Sequence, residues 1–169
     1  MVQNLMAYEE AGYKVVHKGE NFEIRYYEER IVIQTRYDSG NSGFRKLFNY
    51  ISGQNQGEKK IEMTTPVTEV QDDNQMVMQF YLPARFNSSS APLPADNSLE
   101  IATIDAGYFA VIQYSGFASN KNFYKHAQIL KSSLDRDNIK ISSQPIKATY
   151  NGPFTLPNLR RNEAMYLVL

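Results

Sequence analysis

Apolar residues in this chain recur mostly at every second position, and twice that rhythm gives way to a helical one. Phe22, Ile24 and Tyr26 alternate with Glu23 and Arg25, and Ile31, Ile33, Thr35 and Tyr37 resume the alternation after Glu28-Glu29-Arg30. Successive side chains of a strand point to opposite faces, so both runs predict strands, joined as a hairpin and preceded by a lead-in strand over Tyr13 to His17. Phe44, Leu47, Phe48 and Ile51 then fall at i, i+3, i+4 and i+7, the stripe of an amphipathic helix. Asn41 or Ser42 can cap its start, and Gly53 can end it in the left-handed conformation. Two further alternating runs follow, Ile61-Met63-Thr65-Val67 and Met76-Met78-Phe80-Leu82, turned by Asp72-Asp73-Asn74. Pro66 cannot donate to a ladder, which places its strand at an edge or a bulge.

The segment from Pro83 to Ser98 carries Pro83, Pro92, Pro94 and three consecutive serines and reads as a long connection. After it the pattern restarts. Leu99 to Asp105 and Tyr108 to Tyr114 predict strands around an Ala106-Gly107 turn. Phe123, Ala127, Leu130 and Leu134 predict a helix capped by Ser119 or Asn120. Extended stretches follow over Ile139 to Tyr150, interrupted near Ser142-Ser143, and over Ala164 to Leu169. The order strand-strand-helix-strand-strand thus occurs twice, in halves of about 13–83 and 98–169 of a single domain spanning 1–169. The expected fold class is α+β: duplicated units forming a distorted antiparallel β-barrel with two main helices packed outside.

Composition narrows the chemistry. Lys+Arg and Asp+Glu each number 18, and a formal charge of zero argues against nucleic acid as the main partner. With no cysteine, disulfides, thiolate catalysis and thiolate-held metals are ruled out. No apolar run approaches the ~18 residues of a membrane span. Met1 to Gly12 lacks the basic-then-apolar order of a signal peptide, so a cytoplasmic location is expected. Aromatic material is 12 Tyr and 9 Phe with no Trp, suited both to cores and to ligand slots. No nucleophile elbow, phosphate loop or dinucleotide fingerprint is present, and Glu28-Glu29 and Asp72-Asp73 sit at turns, so no catalytic residue is nominated.

Several motifs recur in an order that resembles the SOUL haem-binding protein family. They are Phe22-Glu23-Ile24-Arg25-Tyr26-Tyr27-Glu28, the Phe44 to Gly53 helix, Lys60-Ile61-Glu62-Met63-Thr64-Thr65-Pro66-Val67 and Phe80-Tyr81-Leu82-Pro83, followed by Pro92-Leu93-Pro94, Gln113-Tyr114-Ser115-Gly116-Phe117, Tyr150-Asn151-Gly152-Pro153, Leu156-Pro157 and Arg160-Arg161-Asn162-Glu163. The resemblance implies a duplicated barrel-like fold shared with bacterial effector-binding domains. It also implies non-covalent binding of haem or a related porphyrin in a surface groove beside the first helix. Some relatives are proposed to release iron from haem. A dechelatase-type enzyme, or a module for another planar hydrophobic ligand, are therefore the alternatives to a tetrapyrrole carrier or buffer.

Haem is an apolar disc with two propionates, so a site needs an apolar slot and cations at its rim. Phe44, Phe48 and Ile51 on the first helix and Met63 beyond it have the character of a slot; packing against the core is the competing account of the same side chains. Arg45, Lys46, Lys59, Lys60, Arg160 and Arg161 are candidates for the rim. Arg160-Arg161-Asn162-Glu163 can equally be an ion-pair lock before the last strand. The two histidines, His17 and His126, are far apart in sequence with no metal-binding spacing. The expected ligand site therefore supplies no axial residue and has no metal ligands: it comprises Phe44, Arg45, Phe48, Ile51, Met63, Arg160 and Arg161.

Overall fold

A computed structural model describes residues 8–38 and 42–169, except for the side chain of Ser42; the cap expected of Asn41 or Ser42 lies outside the described residues. In chain order the elements are β1 (Glu9–Glu10), β2 (Tyr13–Lys18), β3 (Glu23–Tyr27), β4 (Arg30–Tyr37), α1 (Ser42–Ile51), β5 (Thr64–Thr65), β6 (Val67–Asp72) and β7 (Gln75–Tyr81). After the long connection come β8 (Leu99–Ile104), β9 (Gly107–Tyr114), α2 (Asn120–Arg136), β10 (Ile146–Thr149), a short 3₁₀ turn (Pro157–Leu159) and β11 (Asn162–Val168). Nine strands form one antiparallel sheet in the order β2-β3-β9-β11-β10-β6-β7-β4-β8, while β1 and β5 make a separate parallel pair. The large sheet curls without closing, a half-barrel carrying two helices, and the fold class is the α+β one expected.

The repeat is visible in the pairing. The order β3-β4-α1-β6-β7 is answered by β8-β9-α2-β10-β11, and each unit lends its first strand to the other. Thus β3 pairs with β9, β8 pairs with β4, and β6 meets β10 at the centre. This corrects the expected hairpin: β3 and β4 do not pair, because β2 and β9 occupy the edges of β3 while β7 and β8 occupy those of β4. Alternation reports which faces are buried; it does not say which strand fills an edge.

The run from Ile61 to Val67 also differs from the single strand expected. Ile61 donates its N–H to the carbonyl of Ile51 at 2.8 Å, which holds it against the end of α1. The chain then breaks between β5 and β6 at Pro66, whose preceding peptide bond is cis. Gly53 follows α1 with φ of +123°, where a side chain would be strained.

Three apolar clusters hold the layers together. α2 lays Phe123, Ala127, Leu130 and Leu134 against β9 and β11 residues such as Ala110, Ile112 and Tyr166. Its start is capped as expected, the Ser119 hydroxyl accepting from the N–H of Asn122 at 3.2 Å. α1 lays Leu47, Tyr50 and Ile51 against β4 and β7, in contact with Ile33, Met78 and Phe80. A third cluster, Tyr27, Phe109, Val111, Ala148 and Met165, lines the concave face. No helix among the described residues is long and apolar enough to cross a membrane.

Candidate functional site

The α1 stripe divides. Leu47 and Ile51 turn inward as core, whereas Phe44 and Phe48 remain 43% and 49% exposed. Being four residues apart they share one face of the helix, and their rings lie nearly parallel, 12° between planes with centroids 6.2 Å apart. Phe80 meets Phe44 edge-on at 5.2 Å and fixes it from below. The result is an aromatic shelf on the outside of α1. Exposed Arg45 lies on the same helix, with Lys46 a residue on, its ammonium donating to the Ser98 hydroxyl at 3.1 Å. Met63 packs, partly buried, on the cluster containing Leu47 and Ile51. Phe44, Arg45, Phe48, Ile51 and Met63 are therefore brought together around α1, with Ile51 taken up by the core.

Arg160 and Arg161 are placed elsewhere, at the start of β11 in the other half of the sheet. Arg160 donates to the carbonyls of Thr155 and Pro153 at 2.8 and 2.9 Å, holding a loop. Arg161 joins a buried ion cluster centred on Glu163, which is 0% exposed. Glu163 accepts two bonds from Arg25 (2.9 and 2.7 Å), one from the Tyr150 hydroxyl (2.6 Å) and a longer pair from Arg161 (3.3 and 3.1 Å). Arg161 also reaches Glu10 at 2.9 Å and lies 3.9 Å from the Tyr150 ring centroid. Of the two readings of Arg160-Arg161-Asn162-Glu163, the geometry is that of an ion-pair lock: it ties β3, β11, the segment before it and β1 together.

Electrostatics follow from this enclosure. Burial alone would lower the pKa of Arg25, but its hydrogen bonds to Glu163 and the carboxylate's charge outweigh that and raise it. Tyr150 is pushed far up by burial, then by the Glu163 charge. Burial also lifts Tyr27, to about 12.

Neither histidine lies on α1. His17 is exposed on β2. His126 stacks on Tyr114 at 4.0 Å, and its Nδ1 lies 2.8 Å from the Asn122 carbonyl, on α2. Among the described residues no group of three His, Cys, Asp or Glu is placed to hold a metal. Two half-exposed phenylalanines with Arg45 and Lys46 on the same helix supply the residue types a porphyrin and its propionates need.

Sequence reasoning did not find a second feature. A hollow of about 460 Å³ opens at one end of the half-barrel, walled by Tyr13, Tyr26, Tyr81 and Phe86 and rimmed by Glu28 and Glu29. Arg30 reaches into the aromatic side, 4.3 Å from the Tyr27 ring centroid, with its Nη1 donating to the Tyr81 hydroxyl at 3.2 Å. Its Nε–H is buried without a partner. The Glu28-Glu29-Arg30 corner was the available signal, but it reads as a plain charged turn.

Comparison with known proteins decides the family. The family model described as SOUL heme-binding protein matches residues 8–167. The chain belongs to the SOUL family. Among SOUL relatives, heme-binding protein 1 of Xenopus laevis is 27% identical over 172 residues, covering 91% of this chain and 89% of that one. Heme-binding protein 2 of Homo sapiens is 28% identical over 163 residues, covering 88% and 78%. Among solved structures, the EcmrR C-terminal domain has a similar fold, superposing with a TM-score of 0.63 at 16% identity, over 93% of this chain and 98% of that one.

Proposed function

We propose that this protein is a carrier or buffer for haem or a related tetrapyrrole in the cytoplasm. The macrocycle lies against Phe44 and Phe48, and Arg45 and Lys46 meet the propionates. The observation that carries this reading is the outward-facing, nearly parallel phenylalanine pair on a helix whose other apolar residues are buried. Solvent exposure of two large aromatic side chains on one face costs hydration free energy, which a flat apolar ligand would recover. Family membership and the names of the relatives support the ligand class. Binding rests on contact area and charge without an axial bond, so metal-free protoporphyrin should bind about as tightly as haemin. Titration of both into the protein, followed by the Soret band and by porphyrin fluorescence, tests this. An unchanged spectrum at saturating protein would overturn it.

One observation favours a second reading, a module for a planar aromatic cation. The 460 Å³ hollow has aromatic walls and an acidic rim, and the chain's own Arg30 already rests on rings there. Thermal-shift measurement with aromatic cations alongside porphyrins separates the two, because a ligand of the folded state raises its melting temperature by mass action.

A further inference from the structure

Beyond the end of β9 and the start of β11, two loops form an apolar tip. Phe117 projects from residues 115–119 and Phe154, Leu156 and Leu159 from residues 150–161; all four are exposed, Phe154 to 99%. The tip is built rather than frayed. Gly116 donates its N–H to the Pro157 carbonyl at 2.8 Å and Asn162 donates to the Gly116 carbonyl at 3.0 Å. Asn122 donates to the Phe117 carbonyl at 2.9 Å, and Arg160 holds two carbonyls of its own loop. Four large apolar side chains are thus presented to water by loops tied at Gly116, Phe117, Pro153, Thr155 and Pro157.

The stretch of chain that carries this tip is basic. Residues 106–169 hold eight Lys and Arg against three Asp and Glu, and the rest of the chain holds the opposite imbalance. No acidic residue occurs from 106 to 134 or from 138 to 162. Of the three acids, Glu163 is buried in the ion cluster, and Asp135 and Asp137 sit at the far end of α2, about 25 Å along the helix. Lys147 and Arg161 are paired with Glu69 and Glu10. Lys121 and Lys125, exposed in the opening turns of α2, have no ion-pair partner among the described residues, and the first turn holds no acid to offset the positive end of the helix dipole.

We propose that this tip docks on an anionic lipid bilayer, inserting Phe154, Leu156, Leu159 and Phe117 at the interface while Lys121, Lys125 and Arg160 face the headgroups. An exposed apolar tip beside lysines unpaired among the described residues favours a bilayer over a protein partner: a bilayer accepts it without a complementary pocket, and anionic headgroups match Lys121 and Lys125. The inference does not rest on the tetrapyrrole reading. The α1 shelf is built over β4 and β7, whereas the tip is built on the loops that adjoin β9 and β11.

Co-sedimentation of the full chain with phosphatidylcholine vesicles, with and without phosphatidylserine, tests it. Binding is expected to be about tenfold or more stronger with phosphatidylserine and to fall as salt is added. Phe154→Ser with Leu159→Ser should lose most of it with an unchanged melting temperature, and Lys121→Glu with Lys125→Glu should lose the preference for phosphatidylserine. The chain has no tryptophan, so Phe154→Trp supplies a single reporter whose emission should shift to the blue on phosphatidylserine vesicles. Equal binding to both vesicle types, no binding at all (as an acidic protein partner would give), or an unmoved reporter emission would overturn the proposal.

Discussion

The ion cluster around Glu163 and the aromatic shelf on α1 make an instructive pair. In the sequence, Arg160 and Arg161 read either as rim cations or as an ion-pair lock, and Phe44 and Phe48 either as a ligand slot or as core. In the structure the arginines are spent on the fold and the phenylalanines are left outside. The ion cluster satisfies itself: every oxygen of Glu163, on β11, has a donor, and the donors come from β3 and from the segment between β10 and β11. The shelf has no partner of its own kind beyond Phe80. A side chain's chemistry nominates it for a ligand site; whether the fold has already used it decides.

The largest effect that can break this contrast is expected at Glu163. Glu163→Ala leaves the guanidinium of Arg25, itself 2% exposed, with only the half-buried Glu23 as counter-ion, and should cost about 3 kcal/mol in urea unfolding. Replacing Arg25 and Glu163 together by Met and Leu should cost far less, since no buried charge is left alone. A Glu163→Ala protein of unaltered stability would show that the cluster is not a lock.

Alkaline pH offers the next effect. Burial raises Tyr27, Tyr50 and Tyr114 from 10.0 to about 12, and Tyr37, Tyr150 and Tyr166 are also raised. Each therefore holds its proton more tightly folded than unfolded. The stability they contribute is complete below pH 10 and is lost as pH rises through 12. Urea midpoints measured from pH 9 upward should fall past about pH 10, and less steeply in Tyr27→Phe.

Smaller effects belong to the shelf. Phe44→Ser with Phe48→Ser should move the unfolding free energy by under about 1 kcal/mol, as is usual for surface sites. The same change should weaken porphyrin binding by about tenfold or more, worth about 1.4 kcal/mol. Arg45→Glu with Lys46→Glu should weaken haemin only a few-fold and reduce the salt dependence of its binding.

Much of the architecture was legible because its signals are local. Phe123, Ala127, Leu130 and Leu134 name the buried face of α2 by spacing alone, and Ser119 names its cap. Strand pairing was not legible: β3 and β4 adjoin in sequence yet take their neighbours from the other half of the chain. Arg25 read as the polar side of a strand because its partner lies 138 residues away, and only the tertiary fold joins them. The division of the α1 stripe was hidden for a similar reason. Helical spacing places Phe44 and Phe48 beside Leu47 and Ile51, but the width of sheet beneath α1 sets how much of that stripe is covered.

The most direct test of the central claim is titration of haemin and of metal-free protoporphyrin into the unaltered protein and into the Phe44→Ser, Phe48→Ser variant. A flat macrocycle held on the shelf without an axial bond predicts similar affinity for both ligands and an equal fractional loss for both in the variant. Full-strength binding by the variant, or binding of haemin alone, would contradict it.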